Sequence, residues 1–422
     1  MNDYHRQTIH TWESVRSGRG MDWERQPEVF KYYPPEFATV SPDVCARLRN
    51  FLHLCCGITA EKVYPGGRYF LRVNPSAGAL YPCELYVQSR GESGLVDGIY
   101  HFEPLTKRLR LLYVLKPEEG LEGYFHDGGV VNGLVVLVTA VYYRSSWKYG
   151  RRALRYCLLD GGHILGAMEA AAYCTARSCS WITRFDRERL QKDFGFSTRE
   201  LPLVMGTSGK QSSDRVRRPQ MGLDYVNGSG VFCRDTVIEQ AFAQASSPSV
   251  CRRGKGAEVP YSVAKAELKS IILRRRSIRR FSGRPISSVQ YKAVCNMIRR
   301  NIALDCDEDI EVFSIVHRVE GMESGLYVDD RCLRKGDFAA MAGYLCLEQP
   351  LGADGAAIFF LVGDSENYFA LMLKAGLLGQ RIYLASELQG LGCSGIGAFY
   401  DPEVADFLET DSLILYALAI GV

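Results

Sequence analysis

Apolar residues at Val44, Leu48, Phe51 and Leu52 recur at the three-to-four-residue spacing of a helix, which predicts one over 41–56 with Ser41 or Asp43 as its cap. Alternation over 84–88 predicts a half-buried strand, and Gly98-Ile-Tyr-His-Phe reads as a hairpin region. The unbroken apolar run over 133–143 has the length and β-branched content of a buried strand. A helix rich in Ala and Leu follows over 154–175. Gly161, Gly162 and Gly166 would weaken it in isolation, so they predict close packing against a neighbouring helix.

The later part of the chain has the same grammar. A helix over 262–274 is followed by Ser287-Ser-Val-Gln290, a capping-box signature that opens another helix. Strands are predicted over 311–316 and 356–362, then a helix over 368–388, a glycine-rich loop over 390–399, a helix over 402–408 and a closing strand over 413–419.

Setting the two parts side by side exposes a weak duplication. Gly98-Ile-Tyr matches Gly325-Leu-Tyr, and Leu158-Leu-Asp-Gly-Gly162 matches Leu373-Lys-Ala-Gly376, each at the start of a helix behind a buried strand. Between them, residues 207–260 turn rich in Ser, Gly, Arg and Gln and read as a connecting segment. The expected organisation is therefore an α+β protein of two fused, related domains, 1–206 and 261–422, each a mixed or antiparallel sheet with packed helices. Such a pair can imitate a symmetric dimer, whose ligand sites lie at the interface.

Bulk properties narrow the function classes. The chain has 422 residues, 47% of them hydrophobic and 23% charged, with a formal net charge of +3. That small charge argues against nucleic acid as the partner, and the basic run at 252–255 reads as solvated surface. No apolar run reaches the roughly 20 residues a membrane helix needs. The start, Met1-Asn-Asp-Tyr-His-Arg, lacks a secretion-leader pattern. The scattered cysteines show no paired metal spacing and no disulfide framework, so free thiols, no metal and a cytoplasmic setting are expected.

Three stretches carry candidate chemistry. Asn74, Pro75, Ser76, Ala77 and Gly78 make a small-residue turn that lets backbone amides approach a flat or anionic ligand, although the same residues suit a plain strand-entry turn. Arg275, Ser277 and Arg279 alternate onto one side of an extended segment and suit a phosphate; a solvated basic turn is the competing reading. Gly395, Ile396, Gly397 and Ala398 read either as a loop before a helix or as backbone donors to a planar ring. His163 reads as a packing histidine, and Gln380 as either core or ligand-facing.

Together these motifs resemble the nitroreductase superfamily, and within it the SagB-type azoline dehydrogenases of peptide maturation. The resemblance implies FMN between the halves: its phosphate on Arg275, Ser277 and Arg279, its ring against Gly395–Ala398, and Asn74–Gly78 reaching it from the other half. It gives Lys148 and Tyr149 the role of a catalytic Lys-Tyr pair that removes a proton, and Trp147, Arg151, Arg152 and Arg155 are expected to make their setting cationic enough to favour a neutral lysine. Tyr4-His5-x-x-Thr8, with His10, resembles a remnant of a second phosphate motif. The implied reaction oxidises an azoline of a peptide to an azole, with dioxygen reoxidising the flavin. Oxidation of another modified peptide or amino acid, NAD(P)H-driven nitro or quinone reduction, and a flavin-free scaffold subunit stay open. Partners implied are the peptide and a cyclodehydratase or other maturation enzyme; a homo-oligomer beyond the internal pseudo-dimer also stays open.

Overall fold

The computed structural model describes residues 2–18, 20–41, 43, 46–65, 67–127, 129–245, 260–305, 308–364 and 367–422. The basic run at 252–255 and the serines at 246–249 lie outside them.

Two sheets carry the chain. The first has seven strands, in the spatial order Thr39–Val40, Arg108–Val114, Gly98–Glu103, Cys83–Arg90, Val131–Val141, Glu200–Gln211 and Ser180–Ile182. The second has six: Arg331–Lys335, Gly325–Val328, Glu311–Val316, Ala357–Gly363, Leu413–Gly421 and Gly392–Ile396. All neighbours in both sheets are antiparallel. Apart from the short Thr39–Val40 edge, the two orders match strand for strand. The duplication that was faint in sequence is plain in topology, and the matched Gly98 and Gly325 each open a strand.

Behind each central strand runs a long helix, Ala153–Thr175 in the first half and Tyr368–Leu388 in the second. Both are buried on nearly every face, as befits helices that are apolar all round. They cross at glycine. A Cβ on Gly162 would lie 2.7 Å from the Gly376 Cα, and one on Gly376 would lie 2.9 Å from the Gly162 Cα. A Cβ on Gly166 would meet the Gln380 side chain at 2.5 Å. The missing side chains thus let two backbones approach across the pseudo-twofold axis, and one apolar core runs through both halves.

Local signals account for several element starts. Ser287 accepts from the Gln290 N–H at 3.2 Å while Gln290 Oε1 accepts from the Ser287 N–H at 2.9 Å, the reciprocal bonds of a capping box. The helix expected over 41–56 is present as Ala46–Cys56, residues 42, 44 and 45 lying outside the described residues, and Ser41 donates to Asp43 at 2.8 Å. Gly392–Ile396, expected as a loop, is an edge strand: its ladder to Leu413–Gly421 supplies what its glycine-rich composition does not. The Glu200–Gln211 strand runs past 206, so the start of the expected connection belongs to the first sheet. A separate two-stranded ribbon, Ile58–Tyr64 with Gly67–Arg72, leads into the small-residue turn. Among the described residues, no helix is long and apolar enough to cross a membrane, and the cysteines are free.

Candidate active site

The turn after the ribbon is held in a demanding shape. Gly78 has φ 64°, and the non-glycine residues Ala79 and Tyr81 have φ 54° and 43°. Conformations of that kind cost on the order of 1–3 kcal/mol each and persist where the surroundings impose them. Here the surroundings are specific. The Tyr81 hydroxyl accepts from the Arg72 N–H at 3.0 Å, and its carbonyl accepts from Arg144 at 2.9 Å. Arg144 is fully buried and in turn paired with Glu84 at 2.6 Å. From the second half, Arg275 donates through Nε to the Val73 carbonyl at 2.8 Å and through Nη2 to the Arg72 carbonyl at 3.3 Å.

Opposite the turn lies the Gly392–Ile396 strand, to which Arg275-x-Ser277-x-Arg279 is joined directly. The Ile278 N–H donates to the Cys393 carbonyl at 3.0 Å, in a parallel bridge between Ser277 and Cys393. Ser277 shares a 2.8 Å hydrogen bond with the Tyr383 hydroxyl, whose oxygen also accepts from the Gly395 N–H at 2.7 Å. The first half reaches across to the same strand end. Arg152 and Tyr156 both donate to the Gly397 carbonyl at 3.1 Å.

These pieces enclose a cavity of about 310 Å³ lined by both halves. Of the residues singled out in sequence, Pro75, Ser76, Ala77, Gly78, Tyr149, Ser277, Arg279, Gly395, Ile396, Gly397 and Ala398 all face it. Asn74, Arg275 and Lys148 do not. Asn74 is buried, with Nδ2 donating to the Pro75 carbonyl at 3.3 Å and Oδ1 without an acceptor's usual donor. Arg275 is 3% exposed and grips the turn rather than the cavity, though its Nη1 has no hydrogen-bond partner. Arg279 is exposed at the cavity mouth.

Sequence reasoning missed one charged residue here. Asp160, on the Ala153–Thr175 helix, lines the cavity and accepts from the Ser76 hydroxyl at 2.5 Å. Burial pushes its carboxyl up to about 7, against the opposing pull of Ser76 and the Ala77 N–H. Its signal in the sequence was an acidic side chain in a mostly apolar helix that also carries Arg155 and Glu169. His163, one helical turn on, also faces the cavity: Nδ1 lies 3.2 Å from Gln380 Oε1 and Nε2 lies 2.9 Å from the Tyr416 hydroxyl. Burial lowers the imidazole to about 3, so it is a neutral relay between its two partners. Gln380 stays behind it, in the core.

Lys148 opens onto a second, larger cavity of about 510 Å³, lined by Trp23, Phe30, Tyr32, Tyr69, Phe70 and Trp147 among others. Gly78 lines both cavities and stands between them. A Cβ there would lie 2.8 Å from the Tyr149 hydroxyl and 3.4 Å from Lys148 Nζ, so glycine lets both side chains close on the turn. The arginines expected to make the setting of Lys148 cationic face carboxylates instead. Lys148 is exposed, and Arg152 and Arg155 are spent on Asp401 at 2.9 and 2.8 Å. Arg151 is turned towards Asp235 at 4.0 Å.

Asp401 also organises the N-terminal segment that carries His5, Thr8 and His10. The Asn2–Gln7 helix packs there, with His5 Nδ1 2.9 Å from the Tyr368 hydroxyl and the His10 N–H donating to Asp401 at 2.9 Å. Arg152 donates to the Thr8 carbonyl at 2.6 Å. His5 and His10 are thus tied to groups of the second half and Thr8 to Arg152 of the first, and Arg152 and Arg155 hold the Asp401 carboxyl down at about 2 despite its burial.

A crystal structure of a "putative nitroreductase" from Anabaena variabilis superposes over 100% of this chain and 98% of its own, with a TM-score of 0.80 and 26% identity. The fold is the nitroreductase fold. Residues 323–422 match the nitroreductase family model. The "Putative nitroreductase MJ1384" of Methanocaldococcus jannaschii is 30% identical over 128 residues, and the chain spans 60% of the length of that curated relative. Together these matches support the nitroreductase superfamily. A chain of the E. coli microcin synthetase complex matches 49% of this one at 18% identity and a TM-score of 0.32, too slight a likeness to bear on activity.

Proposed function

We propose that this protein is an FMN-dependent oxidoreductase that dehydrogenates a modified peptide, turning an azoline into an azole. The observation that carries the proposal is the shared cavity, because it joins two small-residue backbone stretches, one from each half, across a polar gap. A planar ring suits such a gap, since backbone can approach both of its faces where side chains are small.

Charge supports the cofactor as well. Arg279 stands at the mouth, and buried Arg275 keeps one guanidinium nitrogen without an acceptor. With the Tyr383 oxygen accepting from the Gly395 N–H and its O–H free to donate to Ser277, the serine hydroxyl could donate into the cavity. Ser277 and Arg279 would then hold the phosphate, and Arg275 would set the turn that covers the ring. Bound there, FMN would supply the two-electron acceptor, with dioxygen as the terminal oxidant.

The remaining chemistry is the chain's own. The substrate ring enters from the aromatic cavity and meets Lys148 beside Gly78. Dehydrogenation removes a proton from one ring carbon and a hydride from its neighbour; Lys148 would take the proton while the hydride would leave to the two-electron acceptor. Tyr149, whose phenol is raised by burial, stays protonated and orients the ring by donating its O–H.

Purified protein should be yellow and release FMN on denaturation. Lys148→Ala should keep the bound flavin and lose turnover on an azoline-containing peptide by a factor of about 100 or more, within the usual range for a general base. Unchanged turnover in that variant removes Lys148 from the reaction.

A further inference from the structure

The aromatic cavity has a lining that a small-molecule pocket does not require. Side chains of successive strand residues point to opposite faces, so a cavity facing one side of a strand meets alternate residues. Here four consecutive residues of the ribbon, Gly67, Arg68, Tyr69 and Phe70, line it. A strand contributes consecutive residues when it presents its backbone edge. That edge is free: among the described residues the Gly67–Arg72 strand has one ladder partner, Ile58–Tyr64, and the ribbon has no third strand.

The opposite wall has the same character. Residues 26–30 line the cavity consecutively as well, without a strand assignment, tethered by the Glu28 N–H to the Ser229 carbonyl at 3.0 Å and by the Val29 carbonyl to Arg72 at 2.9 Å. Between the walls stand aromatic rings set edge to face: Trp23 against Trp147 at 5.5 Å and Phe30 against Phe70 at 5.4 Å. Several stay open to solvent, Trp23 at 61% and Tyr69 at 43% exposure. An unpaired main-chain edge beside a box of aromatic faces answers to one class of ligand, an extended peptide with a planar or aromatic side group.

We infer that a peptide adds as a third strand along the free edge of Gly67–Phe70, seats an aromatic or heterocyclic group among Trp23, Phe30 and Trp147, and so delivers the neighbouring residue to Gly78 and Lys148. The inference rests on the proposed peptide oxidation for its purpose, but on the ribbon edge for its geometry. It also explains why the ribbon exists: it pairs with neither main sheet, and its outer strand leads straight into the turn between the two cavities.

The test is fluorescence anisotropy of the full chain with a dye-labelled synthetic peptide carrying one thiazoline next to phenylalanine. Two N-methylated versions, blocked at the odd or the even amides, compete against it, as does free 2-methylthiazoline. Strand addition uses every second peptide amide, so one N-methyl set should lose affinity by about tenfold or more and the other should not. Trp23→Ala, at an exposed position outside the flavin cavity, should weaken the peptide about tenfold and leave flavin content unchanged. Equal binding of both N-methyl sets, or free thiazoline binding as tightly as the peptide, overturns the inference. A peptide that binds in this edge-dependent way and is never oxidised defeats the proposed reaction while leaving the docking mode intact. Oxidation of both N-methyl sets with equal affinity does the reverse.

Discussion

Asp160 is a buried carboxyl of the cavity whose charged form is favoured by the Ser76 hydroxyl, the Ala77 amide and, more weakly, the Arg72 charge. Its carboxyl moves from 3.8 to about 7 on folding. Between those values the folded chain keeps a proton that the unfolded chain has released, so stability falls as pH rises through this window and levels off above it. Asp160→Asn should flatten that slope, read from urea midpoints measured across the window; a slope unchanged by the substitution contradicts the raised carboxyl. The residue-level site was legible in part. Small residues at 75–78 and 395–398 announced themselves by composition, and Ser277 and Arg279 by spacing. Arg275 did not, because its spacing is that of a phosphate ligand while its two short contacts are to the Arg72 and Val73 carbonyls. Asp160 and Tyr383 were invisible for another reason: only the crossing of two helices aims them into one cavity.

Elements were read best where periodicity is strong. The helices Ala153–Thr175 and Tyr368–Leu388 and the strands between them needed only apolar rhythm. Elements stabilised by partners were harder to see. Gly392–Ile396 is a strand through its ladder, and Tyr143–Tyr149, which carries Lys148 and Tyr149, is a short helix wedged between a strand and a long helix. The glycines at the helix crossing have the clearest physical role. A Cβ on Gly162 would overlap the Leu373 carbonyl oxygen, backbone that cannot rotate aside. Gly162→Ala should therefore destabilise the protein by about 1–3 kcal/mol, the usual cost of overpacking, seen as a lower urea midpoint. Neutral or increased stability would mean that the two halves are free to separate at this contact.

At the scale of the molecule, the fold is duplicated and the proposed chemistry is not. The two sheets match strand for strand, yet the turn, Lys148 and Tyr149 come from the first half and the Ser277–Arg279 segment and its strand from the second. The mirror-related corner is filled instead: Asp401 draws in Arg152, Arg155 and the His5–His10 segment, so both arginines are held by a carboxylate. The duplication could be glimpsed in sequence because glycines and strand starts recur, but which of the two corners stays open depends on buried ion pairs that no local pattern encodes. The direct measurement is FMN stoichiometry in the purified 422-residue chain, by absorbance of released flavin against protein concentration, repeated for Arg279→Glu. One FMN per chain, lost in the variant while the far-ultraviolet circular dichroism is unchanged, is the result this account requires. Two FMN per chain, or one that Arg279→Glu leaves in place, would contradict it.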